Sequence, residues 1–284
     1  MSVLGIDIGG SSVKAAGGDL GGEFKTVIST RYTDPDRADI LEAIGQCLTQ
    51  LGDQQWSAAG LCLPGRMNTE RTAIERSVNI PSLNGWDLND LLGAVVDPGA
   101  PCRVVSDADA AGFDWVNEYP SHGRTAAISL GTGVGLCVLD GDQIVTIGAK
   151  GIGHLGHMDV GRLGLDDRVD RDGSLNTLES YIGAPALDSW MVDGALDFRS
   201  MGGDDEAIRA LVRGLRVVHA IYQPDRIALL GGVGIAISSK LDLLRDLVNE
   251  GLTPLAVEGW SIASGDSGFH AARGAAKLAA QSAG

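Results

Sequence analysis

The sequence predicts an α/β protein built from two lobes, and three observations carry that expectation. Short apolar runs of strand length alternate with stretches whose apolar residues recur at helical spacing. Three of those runs end in clusters of glycine, at Gly9, Gly131 and Gly231. The first two clusters lie about 120 residues apart and are each flanked by apolar runs, so the chain echoes itself at the scale of a whole lobe. With 284 residues it is long enough for two lobes that each bury a core.

The elements follow in order. Val3 to Ile8, interrupted by Asp7, and Val13 to Ala16 flank Gly9-Gly10-Ser11-Ser12 and read as a hairpin whose turn keeps its N–H groups accessible. Ile40, Leu41, Ile44, Leu48 and Leu51 give Ala38–Leu51 one apolar helical face. Ala58–Leu63 reads as a strand ending at Pro64-Gly65, Val78–Trp86 as a loop, and Asp87 caps a short helix to Leu92. Arg103–Ser106 is a strand, and the alanine-rich stretch from Asp107 starts a helix. Asp107 thus falls at a strand-to-helix junction, where open α/β sheets present reactive groups. Thr125–Leu130 and Leu136–Leu139 form the second hairpin around Gly131-Thr132-Gly133-Val134-Gly135. Gly148–Asp172 is loop-rich, while Leu175–Leu196, broken near Gly183 and Pro185, and Asp205–Tyr222 are read as helical. Arg226–Leu230 is a strand, Gly231-Gly232-Val233-Gly234 its turn, and Ser238–Asn249 an amphipathic helix; Ser267–Ala280 is an alanine-rich helix expected to pack on the first lobe.

Composition narrows the function. The 44% hydrophobic and 21% charged content is that of a folded globular chain, and only glycine, at 41 residues, is about twice its usual share. A net charge of −15 repels a nucleic-acid backbone, and no basic or helix-turn-helix segment precedes Asp7, so nucleic acid is not an expected partner. An acidic protein still binds polyphosphate when backbone N–H groups and a divalent cation supply the positive field, which implies Mg²⁺. Cys47, Cys62, Cys102 and Cys137 stand apart in apolar contexts, as buried free thiols of a reducing cytosol do. No basic leader and no run of membrane-spanning length appears, so a cytoplasmic protein without a membrane partner is expected.

Neither a GxGxxG after the first strand nor the lysine-bearing phosphate loop is present. What remains is the two-lobed actin-like ATPase and sugar-kinase (ribonuclease H-like) fold with a central cleft. Residues 1–111 plus 268–284 would form its N-terminal α/β lobe and 112–267 its C-terminal α/β lobe. Asp7-Ile8-Gly9-Gly10-Ser11-Ser12-Val13-Lys14, Leu63-Pro64-Gly65, Ser106-Asp107-Ala108-Asp109, Leu130-Gly131-Thr132-Gly133-Val134-Gly135, Gly153-His154-Leu155-Gly156-His157 and Leu229-Leu230-Gly231-Gly232-Val233 resemble, in order, the signatures of the ROK family of sugar kinases.

The resemblance implies roles. Asp107 would be the general base on the attacking sugar hydroxyl, against the plainer reading of a helix N-cap. Asp7 would orient Mg²⁺ through water, against a turn-stabilising Asx contact. Gly9, Gly10, Ser11, Ser12 and Lys14, with Gly131, Thr132, Gly133 and Gly135, would hold the phosphates of ATP, and Gly231, Gly232 and Gly234 would approach the adenosine. Gly65, Asn79, Ser106, His154, His157 and Glu179 match positions that bind the sugar, although Asn79 also suits a turn before Pro81 and His157 a structural histidine. The expected reaction is transfer of the terminal phosphoryl group of ATP to a hexose hydroxyl, the 6-OH of glucose or of a related hexose or N-acetylhexosamine, by a homodimer; the alternatives are a polyphosphate-dependent glucokinase and a sugar-binding sensor without catalysis. The chain departs from the family at His154, where a glutamate is usual, and at Ser106, where an asparagine is usual. Gly161–Thr177 lacks the cysteines of the family's zinc motif, so no structural zinc of that type is expected.

Overall fold

A computed structural model describes residues 1–52, 55–68, 72–93, 100–148, 151–161 and 167–282. The chain divides into two compact units, Met1–Asp114 with Phe269–Gly284, and Trp115–Gly268.

In the first unit, β1 (Ser2–Ile8), β2 (Val13–Asp19), β3 (Lys25–Ile28), β4 (Ala58–Cys62) and β7 (Cys102–Val105) form a sheet of order β3-β2-β1-β4-β7, while β5 (Arg66–Met67) and β6 (Ile74–Arg76) make a separate small hairpin. β1 runs antiparallel to β2 and parallel to β4, and β4 runs parallel to β7. Alternation along β1 decides what each residue meets. Leu4, Ile6 and Ile8 share a core with Ile40, Ala43, Ile44, Cys47 and Leu51 of α1 (Arg37–Leu51), whose start is fixed by a reciprocal capping box between Asp36 and Asp39. Val3 instead shares a cluster with Ala58, Ala276, Ala279 and Ala280, the last three from the C-terminal helix (His270–Ser282). That helix lies against β1 and β4 so closely that a Cβ on Gly5 would stand 1.8 Å from the Ala272 carbonyl, and one on Gly60 2.0 Å from that of Ala275. Asp7 continues the Val3–Gly5 face at the end of the strand. α2 (Leu88–Gly93) follows the small hairpin, and α3 (Asp107–Glu118) follows β7 and carries the chain across the division.

The second unit repeats the plan. β8 (Arg124–Leu130), β9 (Val134–Asp140), β10 (Gln143–Ile144), β13 (Arg226–Leu230) and β14 (Ser261–Ser264) are ordered β10-β9-β8-β13-β14, with β8 antiparallel to β9 and parallel to β13. β1 and β8 are both seven residues long and show the same sequence of buried and half-buried positions. The core gathers β8, β9 and β13 around Ile208, Leu211, Leu215 and Val218 of α5 (Glu206–Tyr222).

The Leu175–Leu196 stretch and the Gly231 cluster differ from their sequence-based expectation. Leu175–Leu196 holds only one four-residue helix, α4 (Glu179–Ile182), then a 3₁₀ stretch at Ala184–Trp190 and the hairpin β11 (Met191–Val192) with β12 (Ala195–Leu196). Gly183, extended at φ −63° and ψ 148°, ends α4. The cluster at Gly231 is not a free turn: Gly231 has φ +79° and redirects the chain directly into α6 (Gly231–Ala236), with α7 (Leu241–Asn249) beyond it. No helix of the described residues is long and apolar enough to cross a membrane.

Candidate active site

The parallel strands β1, β4 and β7 all end at one edge of the first sheet, where open α/β sheets carry their functional groups. Asp7, the penultimate residue of β1, faces Lys14 on β2 and Cys62 on β4 in the ladder. Its carboxyl is pushed up to about 6, first by burial and further by the Asp107 charge, with Lys14 pulling the other way. Asp7, Lys14 and Asp107, nominated separately from the sequence, therefore belong to one electrostatic group. Cys62 underlies it: its thiol donates to the carbonyl of Ala271 in the first turn of the C-terminal helix, at 3.5 Å, and burial together with Asp7, Asp107 and Asp109 keeps it protonated.

Both Ser106 and Asp107 hydrogen-bond the first turn of α3. Ser106 supplies the cap, its Oγ accepting from the Asp109 N–H at 3.0 Å, while Asp107 Oδ1 accepts from the neighbouring Ala108 N–H at 2.8 Å and its side chain is exposed. Gly65 has φ +126°, and a side chain there would strike the Arg76 carbonyl at 2.4 Å. Asn79 is half-buried two residues before the 3₁₀ turn that Pro81 opens.

The glycine turn between β1 and β2 is closed by Gly9 N–H donating to Ser12 O at 3.0 Å. Its counterpart between β8 and β9 is closed by Gly131 N–H donating to Gly133 O, also at 3.0 Å. The first amide of each turn is thus spent inside it.

In the second unit, Glu179 at the start of α4 accepts from the Val134 N–H at 3.3 Å, just past that turn. A Cβ on Gly156 would lie 2.6 Å from Glu179 Oε2, so the Gly153–His157 segment passes directly over the carboxylate. Burial raises the Glu179 pKa, and the Val134 amide and His157 oppose the rise. His154 and His157 are exposed, and their rings stack with centroids 5.3 Å apart. Gly231 closes the second unit's strand ends, since a Cβ there would meet the Leu130 carbonyl at 2.5 Å.

The sequence reading missed the side chains that hold these segments. Tyr32 donates its hydroxyl to Gly9 O at 2.6 Å. Asn176, buried at φ +57°, accepts from the Arg168 N–H and the Tyr181 hydroxyl and donates to Asp167, while Asp170 accepts from the Thr177 hydroxyl at 2.6 Å. A polar clasp therefore orders the segment leading to Glu179. Only the Asn-Thr pair before Leu178 hinted at it.

The sequence profile of the ROK family matches residues 3–193. The chain belongs to the ROK family. Among relatives, this ROK chain is 25% identical over 240 residues to the glucokinase of Thermotoga maritima, covering 81% of its own length and 73% of that enzyme. Among solved structures it resembles a ROK family glucokinase from Streptomyces griseus in complex with glucose and AMPPNP, with TM-score 0.77 and 22% identity over 99% of this chain and 100% of that one. It also resembles an inorganic polyphosphate/ATP-glucomannokinase from an Arthrobacter species, with TM-score 0.67 and 24% identity over 99% of each chain. The fold of this ROK chain is therefore the actin-like ATPase fold of those sugar kinases, built on two open sheets, and its kinship is with the family's glucokinases.

Proposed function

We propose that this ROK chain is an ATP-dependent hexokinase that phosphorylates the 6-hydroxyl of glucose or of a related hexose or N-acetylhexosamine. The observation that carries the reading is the parallel ladder that sets Asp7, Cys62 and Val105 side by side at the strand ends, with Asp107 two residues beyond, next to the first glycine turn. A sugar hydroxyl attacks only as its proton leaves, and an exposed carboxylate at the start of α3 is suited to accept it; that is the role of Asp107. Asp7 suits a divalent cation because a carboxylate that burial destabilises in its charged form gains from a nearby positive charge. Mg²⁺, when bound, offsets charge on the phosphate oxygens.

Lys14 and the turn at Gly10, Ser11 and Ser12, with Gly9 as its closing residue, hold the phosphates from the first unit. Thr132, Gly133 and Gly135 do so from the second, with Gly131 shaping the turn, and Gly231, Gly232 and Gly234 leave room for the nucleoside. Gly65, Asn79, Ser106, His154, His157 and Glu179 order the sugar. Glu179, kept partly unscreened by burial, accepts hydroxyl hydrogen bonds strongly, whereas the imidazoles of His154 and His157 each offer one donor and one acceptor when neutral. Kinship with the family's kinases also supports a cytoplasmic homodimer, which sedimentation of the purified protein checks.

Purified protein should release ADP in a coupled assay with Mg·ATP and at least one member of a panel of hexoses and N-acetylhexosamines. Turnover with polyphosphate in place of ATP would assign the other donor. Tight sugar binding by calorimetry with no turnover on either donor would establish a sensor instead.

A further inference from the structure

A phosphate-binding turn works only if its free N–H groups point outward, and the hydrogen bond that closes this turn, from Gly9 N–H to Ser12 O, does not engage the Gly9–Gly10 peptide. The peptide bond offers one control. Among the described residues every peptide is trans, so a carbonyl and the following N–H point in opposite directions. Fixing the Gly9 carbonyl on one side therefore fixes the Gly10 N–H on the other.

That carbonyl is held by Tyr32, whose hydroxyl donates to it at 2.6 Å from 23 residues away. The same segment grips the turn at three further points. Tyr32 N–H donates to Ser11 O at 3.0 Å, Ser29 N–H donates to Val13 O at 2.9 Å, and Ser29 Oγ accepts from Val13 N–H at 3.0 Å. Ser29–Tyr32 is thus a strap across the turn, and the Tyr32 hydroxyl is its contact to the first glycine. The second unit holds its turn in the same manner, because the carbonyl of Gly131 accepts from the Ala184 N–H at 2.8 Å. There the donor is a backbone amide, which no side-chain truncation removes; in the first unit it is a single hydroxyl. Burial, with Asp7 and Cys47 nearby, keeps that hydroxyl protonated and able to donate across the working pH range.

We propose that Tyr32 is a positioning residue for the phosphoryl donor: its hydroxyl orients the Gly9–Gly10 peptide so that the Gly10 N–H is presented to phosphate. The inference rests on the kinase reading above. Tyr32→Phe deletes one oxygen and keeps the ring, which packs against the first unit's core. The expected result is a rise of about tenfold in the Kd for Mg·AMPPNP by calorimetry and in the KM for ATP, equivalent to ~1.4 kcal/mol. The sugar KM should stay within about twofold, the thermal midpoint within ~2 °C, and the Gly10 amide resonance should move in the nucleotide-free protein. A parent protein that binds Mg·AMPPNP while Y32F binds it equally well overturns this inference alone. So does a loss shared equally by both substrates, or one matched by a fall in thermal midpoint, since each marks a merely structural hydroxyl. A parent that binds no nucleotide overturns the kinase reading and this inference with it.

Discussion

Asp7 pays for its position at the end of β1 in stability. Its carboxyl is raised from 3.8 to about 6 in the folded protein, so the fold binds this proton more tightly than the unfolded chain does. The stabilisation is fully present below about pH 4 and is lost as pH rises through about 6, leaving a cost of roughly 2–3 kcal/mol at neutral pH. With metal chelated, D7N should therefore melt higher than the parent at pH 7.5, and the gap should close by pH 4; parallel curves across that range would contradict the cause assigned. A motif in the sequence singled out Asp7 and Asp107, and both stand at strand ends of the first sheet. Tyr32 was not readable, because its partner Gly9 lies 23 residues away and no local pattern marks a hydroxyl aimed at a distant carbonyl.

Among the elements, the C-terminal helix packs against both β1 and β4 and ties α3 to them. Its face at His270, Arg273 and Lys277 surrounds the fully buried Asp114 of α3, with contacts of 2.7, 2.9 and 2.6 Å. Removing the carboxylate takes from the half-buried Arg273 and Lys277 a fully buried ion-pair partner, so Asp114→Ala should cost about 3 kcal/mol in urea unfolding, more than a surface ion pair. The opposite face meets the sheet through Gly5 and Gly60. Gly5→Ala sets a methyl against the Ala272 carbonyl and should cost about 3 kcal/mol, at the upper end of overpacking, with a matching fall in the denaturation midpoint. Strands and long helices were legible because period and length agree, as in α1 and α5. The Leu175–Leu196 stretch was not. Its apolar residues serve a four-residue helix, a 3₁₀ stretch and a hairpin, three short pieces whose boundaries depend on contacts such as Ala184 N–H to Gly131 O rather than on local periodicity.

At the scale of the whole molecule, two sheets share one strand order, and β1 and β8 share one burial pattern, which is how the echo at Asp7 and Gly131 surfaces in three dimensions. The copies differ at the end of the first strand of each sheet. The position of Asp7 in β1 is taken by Ser129 in β8, and the partner of Ser129 across the ladder is Gly135 where Asp7 has Lys14. One unit therefore carries the carboxylates and the other keeps the turn and adds Glu179. The central claim is that Asp107 accepts the proton of the attacking sugar hydroxyl. Its most direct test compares Asp107→Asn with the parent in a coupled assay at saturating Mg·ATP and the best sugar, alongside calorimetric affinities for both. The account predicts a kcat lower by about 10²–10⁴-fold with both affinities nearly unchanged; a kcat close to the parent's would contradict it.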